Sequence, residues 1–263
     1  MEKFKVVGDV VIRYSRYGKG DITTVLLHGY GASLDVWESF GGQLGKSRDV
    51  LVLDLPGSGI STDGGRERLD MSFMASVTSQ LISDLGIESY ELVGHSMGGA
   101  VAVALLEIDG AKVREITLLH SLPMGSSIKG KESTQREIAL LEAGKREMLA
   151  MTNPSKGFAP QNLKKCEDAI EEKIEQFMMS EETSLIATLK GLLACEDRSD
   201  VLKKYRGRVT FVFGEFDPYI SSDKWDIIRS EFESARIEIF ENSAHHCFIE
   251  DQERTLSLFE LAI

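Results

Sequence analysis

Tyr90-Glu91-Leu92-Val93-Gly94-His95-Ser96-Met97-Gly98-Gly99-Ala100 is the stretch that decides how the rest of the chain reads. It predicts a buried strand, a tight turn carrying one serine, and the start of a helix. Gly94, Ser96 and Gly98 form G-x-S-x-G. A serine on so sharp a turn has strained backbone dihedrals, and glycines two before and two after leave room for it. The turn pushes the Ser96 hydroxyl out of the sheet edge. It also aims the Met97 N–H and the following helix N-terminus at the same spot, where a developing anion would be stabilised. The pattern also occurs by chance in ordinary Gly-rich turns. Here the apolar Leu92 and Val93 before it, and the run Ala100 to Leu106 after it, supply the strand–turn–helix context that the motif demands.

With these residues in place the chain resembles the α/β-hydrolase superfamily, specifically its small soluble esterase and lipase-like members, over nearly its whole length. The resemblance implies an α/β-hydrolase fold, a mostly parallel, doubly wound sheet with an inserted helical cap.

Composition agrees with one large core. A chain of 263 residues with 42% apolar content suits one doubly wound domain with an insertion. The net charge of −12 opposes binding to nucleic acid or to an anionic membrane surface. Cys166, Cys195 and Cys247 show no C-x-x-C spacing, so neither a disulfide framework nor a zinc site is indicated, and buried free thiols are expected. The first residues have no apolar signal region and no stretch approaches a membrane span, which makes the cytoplasm the default expectation.

Outward from the elbow, strands and helices alternate. Lys3 to Tyr17 suits an edge hairpin around Gly8-Asp9, and Thr23 to Leu27 is apolar without alternation, as for a strand covered on both faces. The following His28-Gly29-Tyr30-Gly31 turn supplies, in the resembled family, a second oxyanion-hole donor from the Tyr30 N–H. His28 itself is expected to order the turn rather than transfer protons. Ser33 to Leu44 predicts a helix capped by Ser33, and Val50 to Leu53 a second buried strand. Asp54-Leu55-Pro56-Gly57-Ser58-Gly59-Ile60-Ser61 looks like the family's D-x-P-G-x-G-x-S loop. A helix over about Ser72 to Leu85, stopped by Gly86, precedes the elbow, and the strand Glu115 to Ser121 follows its helix. This alternation argues for parallel pairing through right-handed crossovers.

From Met124 to about Cys195 the pattern changes to polar helical segments near Ser133 to Met151, Leu163 to Met179 and Ser184 to Leu193. They predict a cap over 122–195 inserted into a core formed by 1–121 and 196–263, with Met and Phe residues that either line an apolar pocket or, more commonly for such residues, pack the cap against the core. The sheet resumes at Val209 to Phe213. A helix over about Ser222 to Phe232, the strand Ile237 to Phe240 and a last helix running to the C-terminus complete it.

A serine hydroxyl needs a base within reach and a third group to orient that base. The resemblance implies the order serine, acid, histidine. Asp217 stands in the turn after the strand that follows the cap; Glu215 is its neighbour, expected to bond backbone. The adjacent His245 and His246 cannot be separated by residue chemistry. The family pattern [GA]-H-x-x-x-[LI]-E aligns with Ala244 to Glu250 and puts His245 in the catalytic place, leaving His246 a flanking residue, pocket-facing or solvent-exposed. His95 is expected to face away from the site, and His120 to border it without a chemical role.

The resemblance thus implies a carboxylesterase-like serine hydrolase that uses Ser96, Asp217 and His245, with Tyr30 and Met97 N–H groups binding the oxyanion. No metal or organic cofactor is called for. The serine argues against the dehalogenases and epoxide hydrolases of this fold, which carry aspartate there. Thioesterases and carbon–carbon bond hydrolases remain open. So does a small-molecule receptor on the same fold that hydrolyses its ligand slowly or once.

Overall fold

The structure, a computed structural model, describes residues 2–125 and 127–259. Eight strands form one sheet: β1 (Lys3–Val7), β2 (Val10–Tyr17), β3 (Thr23–Leu27), β4 (Asp49–Leu53), β5 (Tyr90–His95), β6 (Val113–Leu119), β7 (Arg208–Gly214) and β8 (Arg236–Phe240). Their spatial order is β1-β2-β4-β3-β5-β6-β7-β8. The hairpin β1–β2 and its contact with β4 are antiparallel, and every other pairing is parallel. This is the doubly wound α/β-hydrolase sheet.

Alternate residues of each central strand belong to different cores. Val25, Leu27, Leu51, Leu53, Leu92, Leu118, Phe211 and Phe213 face one cluster; Leu26, Val50, Val52, Val93, Leu119 and Val212 face the other. A strand with both faces buried therefore keeps its period of two but hides it from the sequence, because both sides are apolar. Helices α2 (Met71–Asp84) and α3 (Met97–Asp109) pack on the first face. Trp37, Phe40 and Phe248, from α1 (Glu38–Leu44) and the residues flanking it and the C-terminal segment, fill the second.

Between β6 and β7 lie α4 (Ile128–Glu142), α5 (Arg146–Thr152), α6 (Glu167–Met179), α7 (Glu182–Leu193) and α8 (Ser199–Lys204). Leu141, Leu149, Ala150, Phe177, Leu185 and Leu189 make a small third core there, against which Tyr30 packs. After β7 come α9 (Ser222–Glu231), α10 (Cys247–Glu250) and α11 (Gln252–Ser257).

The structure revises several sequence expectations. The helix expected over Ser33 to Leu44 opens with a 3-10 turn at Leu34–Trp37, where the Ser33 hydroxyl accepts the Asp35 N–H at 3.3 Å. The segment expected as one helix from Ser133 to Met151 is broken between α4 and α5, where Gly144 takes a positive φ of 69°. Cys195 is half-buried rather than buried. The last helix is described as far as Ser257, and the final residues of that expectation lie outside the described part.

Candidate active site

The elbow between β5 and α3 is built by close backbone packing. A Cβ on Gly94 would sit 2.5 Å from the Gly98 carbonyl oxygen, and one on Gly98 would collide with the carbonyls of Leu27 and His28. The two glycines let the helix start press against the strand that precedes it and against the end of β3. Ser96 between them has φ 53° and ψ −118°, a conformation that costs about 1–3 kcal/mol and persists only where surrounding structure imposes it. The Met97 N–H, first in α3, has no acceptor among the described residues.

The turn after β3 lies directly on this elbow. A Cβ on Gly29 would be 3.2 Å from the Ser96 Cβ and 2.9 Å from His95 Nδ1. His28 is fully buried and braces the turn. Its Nε2 accepts the Leu55 N–H at 3.0 Å, which leaves Nδ1–H to donate to the Gly29 carbonyl at 2.8 Å. Burial keeps that imidazole below its ordinary pKa. His28 therefore orders the turn, as the sequence suggested, and the Tyr30 N–H is also without an acceptor among the described residues. The D-x-P-G-x-G-x-S loop braces the same end of the sheet. Buried Asp54 accepts Arg13 Nε at 2.7 Å and the N–H groups of Leu34 and Ile60, while Ser61 Oγ donates back to the Asp54 carbonyl.

Asp217, after β7, is brought to His245, after β8. The Nδ1–H of His245 donates to Asp217 Oδ2 at 2.8 Å. The other oxygen, Oδ1, accepts the N–H groups of Tyr219 at 2.8 Å and Ile220 at 3.1 Å. Burial opposes ionisation of this carboxyl, yet attraction to His245 and the imidazole donors outweighs it and holds the group well below the usual carboxylate range. Glu215, by contrast, is exposed, and its carboxylate makes no backbone hydrogen bond among the described residues, contrary to expectation. With an exposed carboxylate solvated by water, no bond to backbone is required.

No hydrogen bond joins Ser96 Oγ to His245 among the described residues, although both stand at this end of the sheet. Nucleophile–base contacts are often long or poorly aligned until substrate engages them.

Three further side chains complete the cluster. His95 turns from the Ser96 hydroxyl into the core, and its Nε2–H donates to the His245 carbonyl at 2.8 Å. His246 is buried, against Phe158 and His95 with ring centroids 4.8 Å and 5.1 Å away, rather than pocket-facing or solvent-exposed. Its backbone starts α10, which tucks the side chain inward. Burial drives the pKa of both imidazoles well below the ordinary value. His120, at the end of β6, does more than border the site. Its Nε2 accepts the Cys247 N–H at 3.3 Å, so its Nδ1–H points to Asp217 Oδ2 at 3.1 Å.

Glu250, which ends the histidine motif, has a structural role. It is buried and clamps the histidine loop. Oε1 accepts the N–H groups of Ala244 at 2.8 Å and His246 at 3.4 Å, and Oε2 accepts the Ala159 N–H at 2.7 Å and Asn162 Nδ2 at 2.9 Å. The signal for both His120 and Glu250 was a polar residue inside an apolar or motif context, but their partners are distant in sequence.

Donor atoms of His120, Asp217 and His245 lie within 4.8 Å of one another, a spacing a metal ion could use. Both Nδ1 atoms, however, carry the protons that bind Asp217. A metal would have to displace them, so the donor set fits an imidazole–carboxylate network better than a cation.

Residues 24–154 match the family model for the alpha/beta hydrolase fold. The chain belongs to the α/β-hydrolase superfamily. Among curated relatives, this hydrolase-fold chain is 32% identical over 130 residues to the dihydrolipoyllysine-residue acetyltransferase component of the acetoin cleaving system of Pseudomonas putida, covering 49% of this chain and 35% of that protein. It is 30% identical over 127 residues to the pimeloyl-[acyl-carrier protein] methyl ester esterase of Salmonella newport, covering 48% and 47%. The matched region thus spans less than half the length of these relatives. Among solved structures, an esterase from Thermogutta terrifontis superposes with a TM-score of 0.89 at 18% identity, covering 98% of this chain and 96% of that one. An esterase from Exiguobacterium antarcticum gives 0.86 at 22%, covering 98% of each, and the enol-lactonase from Burkholderia xenovorans 0.87 at 16%, again covering 98% of each. At these identities the superpositions speak for the α/β-hydrolase fold. No helix among the described residues is long and apolar enough to cross a membrane.

Proposed function

We propose that the chain is a serine hydrolase that cleaves an ester, or a related acyl bond, of a small substrate through Ser96, Asp217 and His245. The observation that carries this reading is the 2.8 Å bond from His245 Nδ1–H to Asp217 Oδ2, which fixes the tautomer that leaves Nε2 free as a base. Ser96 held at a positive φ on the elbow, with two free N–H groups beside it, supplies the rest of the chemistry.

In this mechanism His245 takes the Ser96 proton as Oγ attacks the acyl carbonyl, and Asp217 stabilises the imidazolium that forms. The N–H groups of Tyr30 and Met97 receive the oxyanion, where one donor is worth about a hundred- to a thousand-fold in rate. His245 then protonates the leaving group, and water, activated by the same imidazole, releases the acid. Residues 122–195 act as a cap over the substrate. Three contacts support that role: the Tyr30 ring edge-on to Phe177 at 6.0 Å, the His245 N–H bonded to the Gly157 carbonyl at 2.8 Å, and the Glu250 bridge to Ala159. The methyl ester esterase among the relatives favours a carboxylic ester as substrate class. The negative charge of the chain fits a small-molecule substrate rather than nucleic acid or an anionic membrane surface.

Peptide mapping after exposure to a fluorophosphonate, paired with turnover of p-nitrophenyl esters of graded acyl length, tests the reading. A single adduct on Ser96 with repeated turnover supports it. An adduct without turnover favours a ligand receptor on this fold, and no adduct on Ser96 overturns the assignment.

A further inference from the structure

Ser96 and His120 are the two residues other than glycine with a positive φ among the described residues, at 53° and 49°. They close neighbouring parallel strands, β5 and β6. The elbow accounts for Ser96. Nothing in the proposed reaction accounts for His120, yet the structure holds its main-chain N–H and both ring nitrogens. Its main-chain N–H donates to the Val212 carbonyl at 2.8 Å, Nε2 accepts the Cys247 N–H at 3.3 Å, and Nδ1–H donates to Asp217 Oδ2 at 3.1 Å. Strain kept at such a residue, beside a second strained residue that carries the nucleophile, marks a geometry the fold maintains for function.

We propose that His120 is a positioning residue for Asp217, sharing Oδ2 with His245 and thereby fixing the carboxylate and limiting how much of its charge reaches the base. The proposal rests on the triad reading above. Tyr219 and Ile220 hold only Oδ1. Without His120, Oδ2 keeps a single donor, His245 itself, and the carboxylate can follow that ring instead of anchoring it. A second N–H on the same oxygen also draws down its negative charge, so less of that charge faces the His245 ring.

His120 acts as a neutral donor, because burial keeps its pKa below the ordinary histidine value despite the opposing pull of Asp217. The other ionisable groups around the cluster are His95, His246, Tyr219, Cys247, Glu250 and Lys173. Burial keeps His95 and His246 neutral and raises Tyr219 and Cys247 to about 12, while Glu250 is occupied by main-chain N–H groups. Lys173, brought down to about 8 by burial, titrates in parent and variants alike.

The test compares the parent with His120→Phe, which keeps the ring volume and removes the donor, and His120→Asn, whose amide N–H can occupy the place of Nδ1–H. Kinetics with p-nitrophenyl acetate across pH and NMR of the downfield imidazole N–H protons are read together. In His120→Phe, kcat falls about tenfold with KM within about threefold, the scale of a lost outer hydrogen-bond partner. Since His245 must be neutral to act as base, the acid limb of kcat/KM moves to higher pH, and the His245 Nδ1–H resonance shifts. His120→Asn restores most of kcat. A folded His120→Phe with the parent's acid limb and an unmoved resonance overturns the proposal, as does an asparagine variant no better than phenylalanine. Should the phenylalanine variant not fold, His120→Gln, which can still accept the Cys247 N–H but falls short of Asp217, carries the same readouts. The NMR arm needs no turnover, so it reports on the His120–Asp217–His245 contact even where the hydrolase reading itself fails by absence of a Ser96 adduct.

Discussion

The Nε2–H of His95 donates to the carbonyl of His245 across 2.8 Å, so the residue before Ser96 holds the backbone of His245. The contact joins the end of β5 to the loop after β8, 150 residues apart in sequence. Nothing else among the described hydrogen bonds ties the elbow to that loop directly.

His95→Leu keeps the apolar packing against Trp37 and Phe248 but leaves the His245 carbonyl without its donor in a buried site. An unmet buried acceptor costs about 1–3 kcal/mol. Chemical denaturation will show a midpoint lowered accordingly, and ester turnover will show a lower kcat with KM little changed. A variant with the parent's stability and kcat would mean that the bond serves neither purpose.

Ser96→Ala will remove hydrolysis by at least about a thousandfold. It will not unfold the chain, because the elbow is built by Gly94, Gly98 and the Leu27 and His28 carbonyls rather than by the hydroxyl. The thermal midpoint is the check on folding, and it will match the parent's within about 2 °C. Retained esterase activity in a folded Ser96→Ala would remove serine from the mechanism.

Glu250 carries four donors, from Ala244, His246, Ala159 and Asn162, and so pins the histidine loop to the segment after α5. Glu250→Ala strands three buried N–H groups and will cost about 3 kcal/mol or more. Glu250→Gln keeps one acceptor oxygen and sets an NH2 against the other N–H groups, so it will be only partly milder. Both will lose kcat as the His245 backbone loosens. Equal kcat in a folded Glu250→Gln would show that the clamp is purely structural.

The sheet, the glycine-built elbow that carries Ser96 and the turns that hold Asp217 and His245 were legible in the sequence for a physical reason. Each is declared by local pattern: glycines at fixed offsets around Ser96, apolar runs for strands buried on both faces, turn residues where strands end. What escaped was contact between segments. His120 meets Asp217 at a separation of 97 residues, and no local pattern says which buried histidine will share a carboxylate. The inward turn of His246 depends on where α10 begins, and the break at Gly144 on whether its positive φ ends a helix or merely bends it. Strong helical periodicity on both sides concealed that break.

Lys173, on α6, is 8% exposed and has neither an ion pair nor a hydrogen bond among the described residues. Burial alone brings its pKa from 10.5 down to about 8. The folded chain therefore loses this proton near pH 8 whereas the unfolded chain keeps it to about 10.5, and between those values the unfolded state binds more protons. Stability from this group accordingly rises as pH climbs from 8 to 10.5 and is at its lowest below 8, where both states are charged and the folded state bears the desolvation. A shift of this size corresponds to about 3 kcal/mol at most. Lys173→Met, which keeps the stem volume and removes the charge, will thus be more stable than the parent at pH 7, and the gap will close as pH approaches 10. Denaturant melts of both proteins at pH 7, 8, 9 and 10 measure the difference directly. A gap that is absent at pH 7, or that widens with pH, would mean the Lys173 ammonium finds solvent or a partner in solution that the folded interior does not supply.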